Sequence, residues 1–276
     1  MDRIRLIASD MDATLLDEQS QLPADFEETI HALAELGIRF APASGRPLYT
    51  LEAMFPTLQD ELVFIGDNGG AIRWKGQNLF TSEMSPEGWR ALNRLTREQG
   101  DIAVLCGLES AYVERPFAVH DAVLRHFYTK IEYVDRLEDV AAPADKFTIY
   151  LPQHNAQQAY DTVYASQRSI YSVAVAGECW VDIMNPGVHK GAALQTLGQL
   201  WGLPSESMMA FGDTYNDAEM LRTAKYGFLM ENGSVPLRQK VPFLAPSHRE
   251  AGVMQVLHRV LAQNGCVCPE DFVPAH

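Results

Sequence analysis

Apolar residues along this chain fall into short runs that alternate with stretches of helical spacing. Ile4 to Ser9 is a short, largely apolar run, as a parallel strand buried on both faces requires. Pro23 to Leu36 sets Phe26, Ile30, Leu33 and Ala34 at helical intervals, and Gly37 stands where a C-cap is expected. Ile38–Ala43 and Leu62–Ile65 read as further strands. Ala71–Trp74 and Asn78–Phe80 read as a hairpin about a Lys-Gly-Gln turn. Such alternation predicts an open parallel sheet covered by helices.

From about Thr81 the pattern changes. Ser85 and Pro86 suit the N-cap and first position of a helix. Strand-like runs follow at Ile102–Cys106, Tyr112–Glu114, Phe147–Leu151, Ser172–Ala176 and Trp180–Met184, with a helical stretch at Ala156–Gln167. Several alternate as an antiparallel sheet with one solvated face does. The earlier pattern then resumes with a helix at Lys190–Trp201, a strand at Met208–Phe211 and a helix at Asp217–Ala224. A strand at Tyr226–Met230, a short helix near Pro236 and a final helix at Gly252–Ala262 complete it. The expected fold class is α/β, a doubly wound parallel sheet built from residues 1–81 and 185–276. Residues 82–184 form an α+β insertion.

Composition fits a chain with a full core, at 47% hydrophobic and 21% charged residues. The formal charge of −14 repels nucleic-acid backbone and anionic lipid, so neither is an expected partner. It also opposes a phosphate ester, so any phosphate site must be made attractive locally by a metal ion, a lysine or backbone N–H groups. No run approaches the ~20 apolar residues that span a bilayer. Met1 to Ile7 is too short and too charged for a signal peptide. The four cysteines form neither CxxC pairs nor a disulfide scaffold, so a reducing cytoplasm is the expected compartment; the expected state is a monomer or homodimer.

Candidate chemistry sits at the strand ends, where open α/β sheets bind ligands. Asp10-Met11-Asp12-Ala13-Thr14 follows the first strand, and residues two apart on extended chain point the same way. An ionised Asp10 suits nucleophilic attack on phosphorus, and a protonated Asp12 suits donation to the leaving alcohol. Two solvated carboxylates at a strand end fit the same residues. Gly212-Asp213-Thr214-Tyr215-Asn216-Asp217 follows another strand and offers oxygen ligands to a hard cation. It also fits an ordinary turn with Asn216 or Asp217 as N-cap. Ser44-Gly45-Arg46-Pro47 offers a hydroxyl and successive N–H groups to an anion, or simply a turn. Lys190 opens a helix, an end that disfavours cations, so it implies a counter-anion unless it is a solvated surface lysine.

Together these clusters resemble the four motifs of the haloacid dehalogenase superfamily: Asp-x-Asp-x-Thr, a Ser after the second strand, a later Lys, and Gly-Asp-x-x-Asn-Asp. The position of the insertion, with Asp10 to Leu16, Ser44 to Pro47 and Asn68-Gly69, is similar to the C2-capped, Cof-type (type IIB) sugar-phosphatase branch. The resemblance implies a Rossmann-like core with a substrate-selecting cap. It implies Asp10 as nucleophile, Asp12 as acid/base, and Mg2+ held by Asp10, the Asp12 carbonyl and Asp213. It implies phosphate contacts from the Met11 N–H, Ser44, Gly45, Lys190 and Asn216. Thr14, Arg46 and Asp217 would have supporting roles, Asp217 by steadying the metal or orienting Lys190.

Two departures stand out: Ala13 where the family usually has Gly, and His248 and Ala251 where relatives often have Asn and Asp. In the cap, Tyr112, Glu114, His120, Lys146 and Trp180 are candidates to face the site, Tyr112 and Trp180 more as packing residues. The expected activity is hydrolysis of a sugar phosphate or similar ester, with flavin mononucleotide, pyridoxal phosphate and nucleotide-type esters open to the same mechanism. A phosphomutase would use the same groups. A phospho-acceptor signalling module would use Asp10 alone and would leave Asp12 and the cap without a purpose.

Overall fold

The computed structural model describes residues 1–276, arranged around one nine-stranded and one six-stranded sheet plus a small two-stranded one. The nine-stranded sheet runs Val273–Pro274, Phe243–Ala245, Tyr226–Met230, Met208–Gly212, Leu6–Asp10, Arg39–Ala43, Val63–Gly66, Ala71–Trp74 and Gln77–Thr81. Its middle is parallel, and its two margins are antiparallel. Leu6–Asp10 lies between Met208–Gly212 and Arg39–Ala43, where the winding reverses. Strand ends diverge at such a switch point and leave a crevice.

Alternation along the central strands sorts their side chains onto two layers. Ile7, Phe40, Phe64 and Phe211 pack with Phe26, Ile30 and Leu33 of the Phe26–Glu35 helix and Val253, Val256 and Leu257 of the Gly252–Ala262 helix. Leu6, Ala8, Ala41 and Val63 face Leu194 and Leu197 of the Lys190–Trp201 helix and Met220 and Leu221 of the Ala218–Thr223 helix. Gly37 follows the first helix at φ 73°, the left-handed geometry its position predicted.

The insertion forms the second sheet, ordered Ser172–Val175, Trp180–Met184, Ala144–Tyr150, Ile102–Gly107, Ala111–Glu114 and Ile131–Val134. The solvated face expected of this sheet is absent in its middle: Ile102–Gly107, Ala144–Tyr150 and Trp180–Met184 are buried throughout. One face packs on the Pro86–Gln99 and Ala156–Asp161 helices. Its other face carries Val104, Cys106, Tyr150 and Trp180 under Leu124 and Tyr128 of a segment that includes the Asp121–Phe127 helix. Ser85 caps the first of these helices as expected, accepting from the Gly88 N–H at 3.1 Å. Helix over Ala156–Gln167 is interrupted: α-helix ends at Asp161, and Ala165–Ser169 continues as a tighter 3-10 turn. Asn185 ties the two connections to the core together, its Nδ2 donating to the Glu83 carbonyl at 2.8 Å and the Ser82 carbonyl at 3.3 Å.

The hairpin turn is tighter than its expected Lys-Gly-Gln form, because Gln77 already belongs to the second strand and Lys75-Gly76 alone reverse the chain. Both take positive φ, 51° and 71°, as a two-residue type I′ turn demands. Lysine bears a steric cost there that asparagine largely escapes. Lys75→Asn is therefore expected to stabilise the fold by about 0.5 kcal/mol, read as a higher urea midpoint at unchanged slope. A lower midpoint would contradict the turn assignment.

Candidate active site

The Leu6–Asp10 and Met208–Gly212 strands end side by side, and the Lys190–Trp201 helix starts beneath them. Lys190 is fully buried, and its Nζ donates to Asp10 and, at 2.7 Å, to Asp217 Oδ1. It is therefore the paired alternative, not a solvated lysine. Asp217 does stand at the N-cap of the Ala218–Thr223 helix, but its side chain makes no cap bond to that helix. Its Oδ2 instead accepts the N–H groups of Asp213 and Thr214 at 3.0 and 3.2 Å, fixing the loop that carries Asp213. Two glycines make this approach possible. A Cβ on Gly212 would stand 2.4 Å from the Asp217 Cβ, and one on Gly191 would stand 2.6 Å from the Glu219 backbone.

Carboxylate oxygens of Asp10, Asp213 and Asp217 lie within 4.8 Å of one another. One ammonium faces three carboxylates, so the cluster keeps an excess of negative charge. Burial and the Asp217 carboxylate push Asp10 up to about 8 despite Lys190. Burial and Asp217 likewise push Asp213 up to about 6. Burial alone would depress the Lys190 ammonium, but Asp10 and Asp217 outweigh it and hold it above its ordinary range. A hard divalent cation fits this set, since it takes oxygen ligands and relieves the repulsion.

Past Asp10 the chain leaves the strand and turns over Met11–Leu15. Met11 buries its side chain in the core, so only its main chain is left for the site. Asp12 and Asp10 both line one cavity of about 660 Å3, in contrasting surroundings. Asp10 is 8% exposed, whereas the Asp12 side chain is 56% exposed and gripped by Arg46, whose Nη2 donates to its two oxygens at 2.9 and 3.1 Å. Ala13 sits at φ 59°, the left-handed region, which explains the family's usual glycine and adds a methyl to the cavity wall. Asn232 braces this turn, donating to the Ala13 carbonyl at 2.9 Å and accepting the His248 N–H at 3.0 Å. The segment with the second departure is thereby joined to the loop after Asp10. Ala251 takes φ 52° at the start of the final helix.

Ser44 is buried beside this turn, and its Oγ accepts the Arg46 N–H at 3.1 Å, which leaves its hydroxyl proton free to donate. Ser44, Gly45, Arg46, Asp213 and Asn216 line the same cavity as Asp10 and Asp12. Buried oxygens of Asn216 and Thr14 have no protein partner. Of the cap candidates, Lys146 and Trp180 line the cavity. Tyr112, Glu114 and His120 do not. Tyr112 packs beside the cap core, Glu114 pairs with Arg97 at 2.6 Å, and His120 stacks on Tyr150 with centroids 5.4 Å apart. Sequence reasoning passed over Phe127, Tyr128, Thr148 and Asp182, which also line it. Thr148 and Asp182 had one legible signal, a polar residue within an apolar strand, and they face each other across the sheet.

Residues 7–257 match the family of haloacid dehalogenase-like hydrolases. The chain belongs to that family. It is 32% identical to a 5-amino-6-(5-phospho-D-ribitylamino)uracil phosphatase of Escherichia coli over 94% of its own length and 96% of the relative's. It is 31% identical to an HMP-PP phosphatase of Cronobacter sakazakii, covering 87% and 89% of the two chains. Among solved structures, a Streptococcus mutans protein superposes with TM-score 0.85 at 29% identity, covering 94% of this chain and 99% of that one. A Eubacterium rectale protein gives 0.84 at 26% identity, over 93% and 98%. This haloacid dehalogenase-like chain is thus an enzyme of the phosphatase type, with the C2-type cap that its insertion predicted. No helix in it is long and apolar enough to cross a membrane.

Metal binding should track the ionisation of the aspartate cluster. The two elevated values, about 6 for Asp213 and about 8 for Asp10, mean that protons compete with a cation below pH 6 and are displaced above pH 8. The rise in melting temperature on adding Mg2+ is therefore expected to grow as pH increases across that window. A constant or shrinking increment would refute the assignment.

Proposed function

We propose that this enzyme hydrolyses a small phosphorylated metabolite, a sugar phosphate or similar phosphomonoester, through an aspartyl-phosphate on Asp10 with Mg2+ as cofactor. The observation that carries this reading is a buried carboxylate, paired with a buried lysine, opening on the same cavity as a second, exposed carboxylate. Asp10, Asp213 and the Asp12 carbonyl are the proposed metal ligands, with residues 82–184 as the cap. A bound Mg2+ supplies positive charge that offsets the repulsion between the Asp10 carboxylate and an anionic ester.

In the first half-reaction an Asp10 oxygen attacks phosphorus, the bond to the leaving oxygen breaks, and Asp12 protonates that oxygen. In the second, the Asp12 carboxylate takes a proton from water, whose oxygen attacks phosphorus and breaks the bond to Asp10. Inorganic phosphate leaves and Asp12 is protonated again. Lys190, the Ser44 hydroxyl, Asn216 and the N–H groups of Met11 and Gly45 hold the phosphoryl oxygens. Arg46 occupies both Asp12 oxygens, so Asp12 must leave the guanidinium and take up a proton from solvent before it acts as acid. The ester's oxygens offer Arg46 a replacement. Asp217 acts through Lys190 and the Asp213 loop, both of which it bonds.

The cap side of the cavity favours one kind of leaving group. Phe127, Tyr128 and Trp180 form an aromatic wall, with Phe127 and Trp180 centroids 5.1 Å apart. A flat ring carried on a phosphorylated chain suits such a wall, and the Escherichia coli relative is named for an ester of that shape.

Phosphate release from p-nitrophenyl phosphate should require Mg2+, and Asp10→Asn should lower it by at least ~10^3-fold. Asp12→Ala should accumulate a labelled phosphoenzyme, so normal turnover in that variant would remove Asp12 from the mechanism. Across a panel of metabolites, kcat/KM should favour ring-bearing esters over phosphoglycolate by about tenfold or more, a preference that Trp180→Ala erodes. Stable labelling of the wild type without turnover would instead indicate a phospho-acceptor module.

A further inference from the structure

A second buried charge cluster lies where the cap meets the core, centred on Lys146 of the Ala144–Tyr150 strand. Lys146 is 2% exposed, yet its ammonium serves groups of both domains. It pairs with Asp67 of the core at 3.1 Å and with Asp182 of the cap at 3.6 Å. Asp182 accepts from Thr148 Oγ1 at 2.7 Å and from the core's Asn68 at 3.0 Å. The third partner of Lys146 is the main-chain carbonyl of Gly45. That contact reaches from the cap into the segment of the core that follows Ser44.

Gly45's carbonyl belongs to the same planar peptide unit as the N–H of Arg46, and in a trans peptide the two point in opposite directions. At one edge of that plane stands Lys146. At the other, the Arg46 N–H donates to Ser44 Oγ at 3.1 Å. A cation on the carbonyl therefore fixes the tilt of the plane and strengthens the N–H as a donor. With one lone pair so engaged, the Ser44 hydroxyl is turned away from the Arg46 N–H and has fewer directions left for its proton. Burial alone would depress the Lys146 ammonium, but Asp182 and Asp67 hold it well above its ordinary range, so it stays charged.

We propose that Lys146 is a positioning residue supplied by the cap, which orients the Ser44 hydroxyl toward the substrate phosphate by gripping the Gly45 carbonyl. Phosphate binding by the core is then complete only while the cap is docked. This role rests on the assignment of Ser44 and Gly45 to phosphate contact made above.

The test uses the full chain with Mg2+ and inorganic phosphate as a competitive inhibitor of p-nitrophenyl phosphate hydrolysis. Lys146→Met leaves two buried carboxylates without their cation, so Lys146→Met combined with Asp182→Asn carries the test if the single variant does not fold. The inhibition constant for phosphate and KM should both rise by about tenfold, with the Mg2+ dependence of activity unchanged. Because Lys146 acts through Ser44, its loss in a Ser44→Ala background should weaken phosphate binding no further. Unchanged phosphate inhibition, or losses that add in the double variant, would overturn the proposal. A wild type that releases no phosphate would overturn the phosphatase reading itself.

Discussion

Every feature of the site depends on a lysine buried between two carboxylates at the switch point of the sheet. An ammonium that is fully removed from water is costly, and only close hydrogen-bonded counter-charges sustain it. Asp10 and Asp217 meet that need for Lys190. The same Asp217 holds the N–H groups of Asp213 and Thr214, so one side chain fixes the cation and the loop carrying the third carboxylate. Gly212 and Gly191 are the steric condition for this, since neither position has room for a methyl group.

The cluster is satisfied internally and still attractive to a cation. Its lysine neutralises only part of the charge of Asp10, Asp213 and Asp217, and the surplus is what draws a hard ion. That answers the difficulty raised by the strongly acidic composition. A protein with a formal charge of −14 can accept a phosphate ester there only once a cation drawn by that surplus reverses the field locally.

Much of this was legible before any fold was known. The strand at Trp180–Met184 and the helices at Lys190–Trp201 and Gly252–Ala262 end where local signals place them. Gly202, for instance, takes φ 62° just past its helix. The Asp121–Phe127 helix and the Ile131–Val134 and Phe243–Ala245 strands escaped notice. All three are short, and the two strands pair with segments well separated in the chain, so no local periodicity announces them. Alternation in the cap strands implies one solvated face because it shows which residues share a face, never what covers it. For the same reason Tyr112, Glu114 and His120 were plausible cavity residues and are not, whereas Phe127 and Asp182 line the cavity.

By itself, the chain's order of residues determined the fold class, the insertion and the polar clusters at the ends of core strands. Those follow from periodicity and from rules of strand-end chemistry, which act over a few residues. Tertiary structure alone decided that Lys190 is paired and buried, that the Asp217 side chain anchors a loop from its place at a helix start, and that Arg46 holds Asp12. It alone brought a lysine of the cap to the carbonyl of Gly45. Each of these depends on desolvation and on distances between residues far apart in the chain, which spacing along a sequence does not encode.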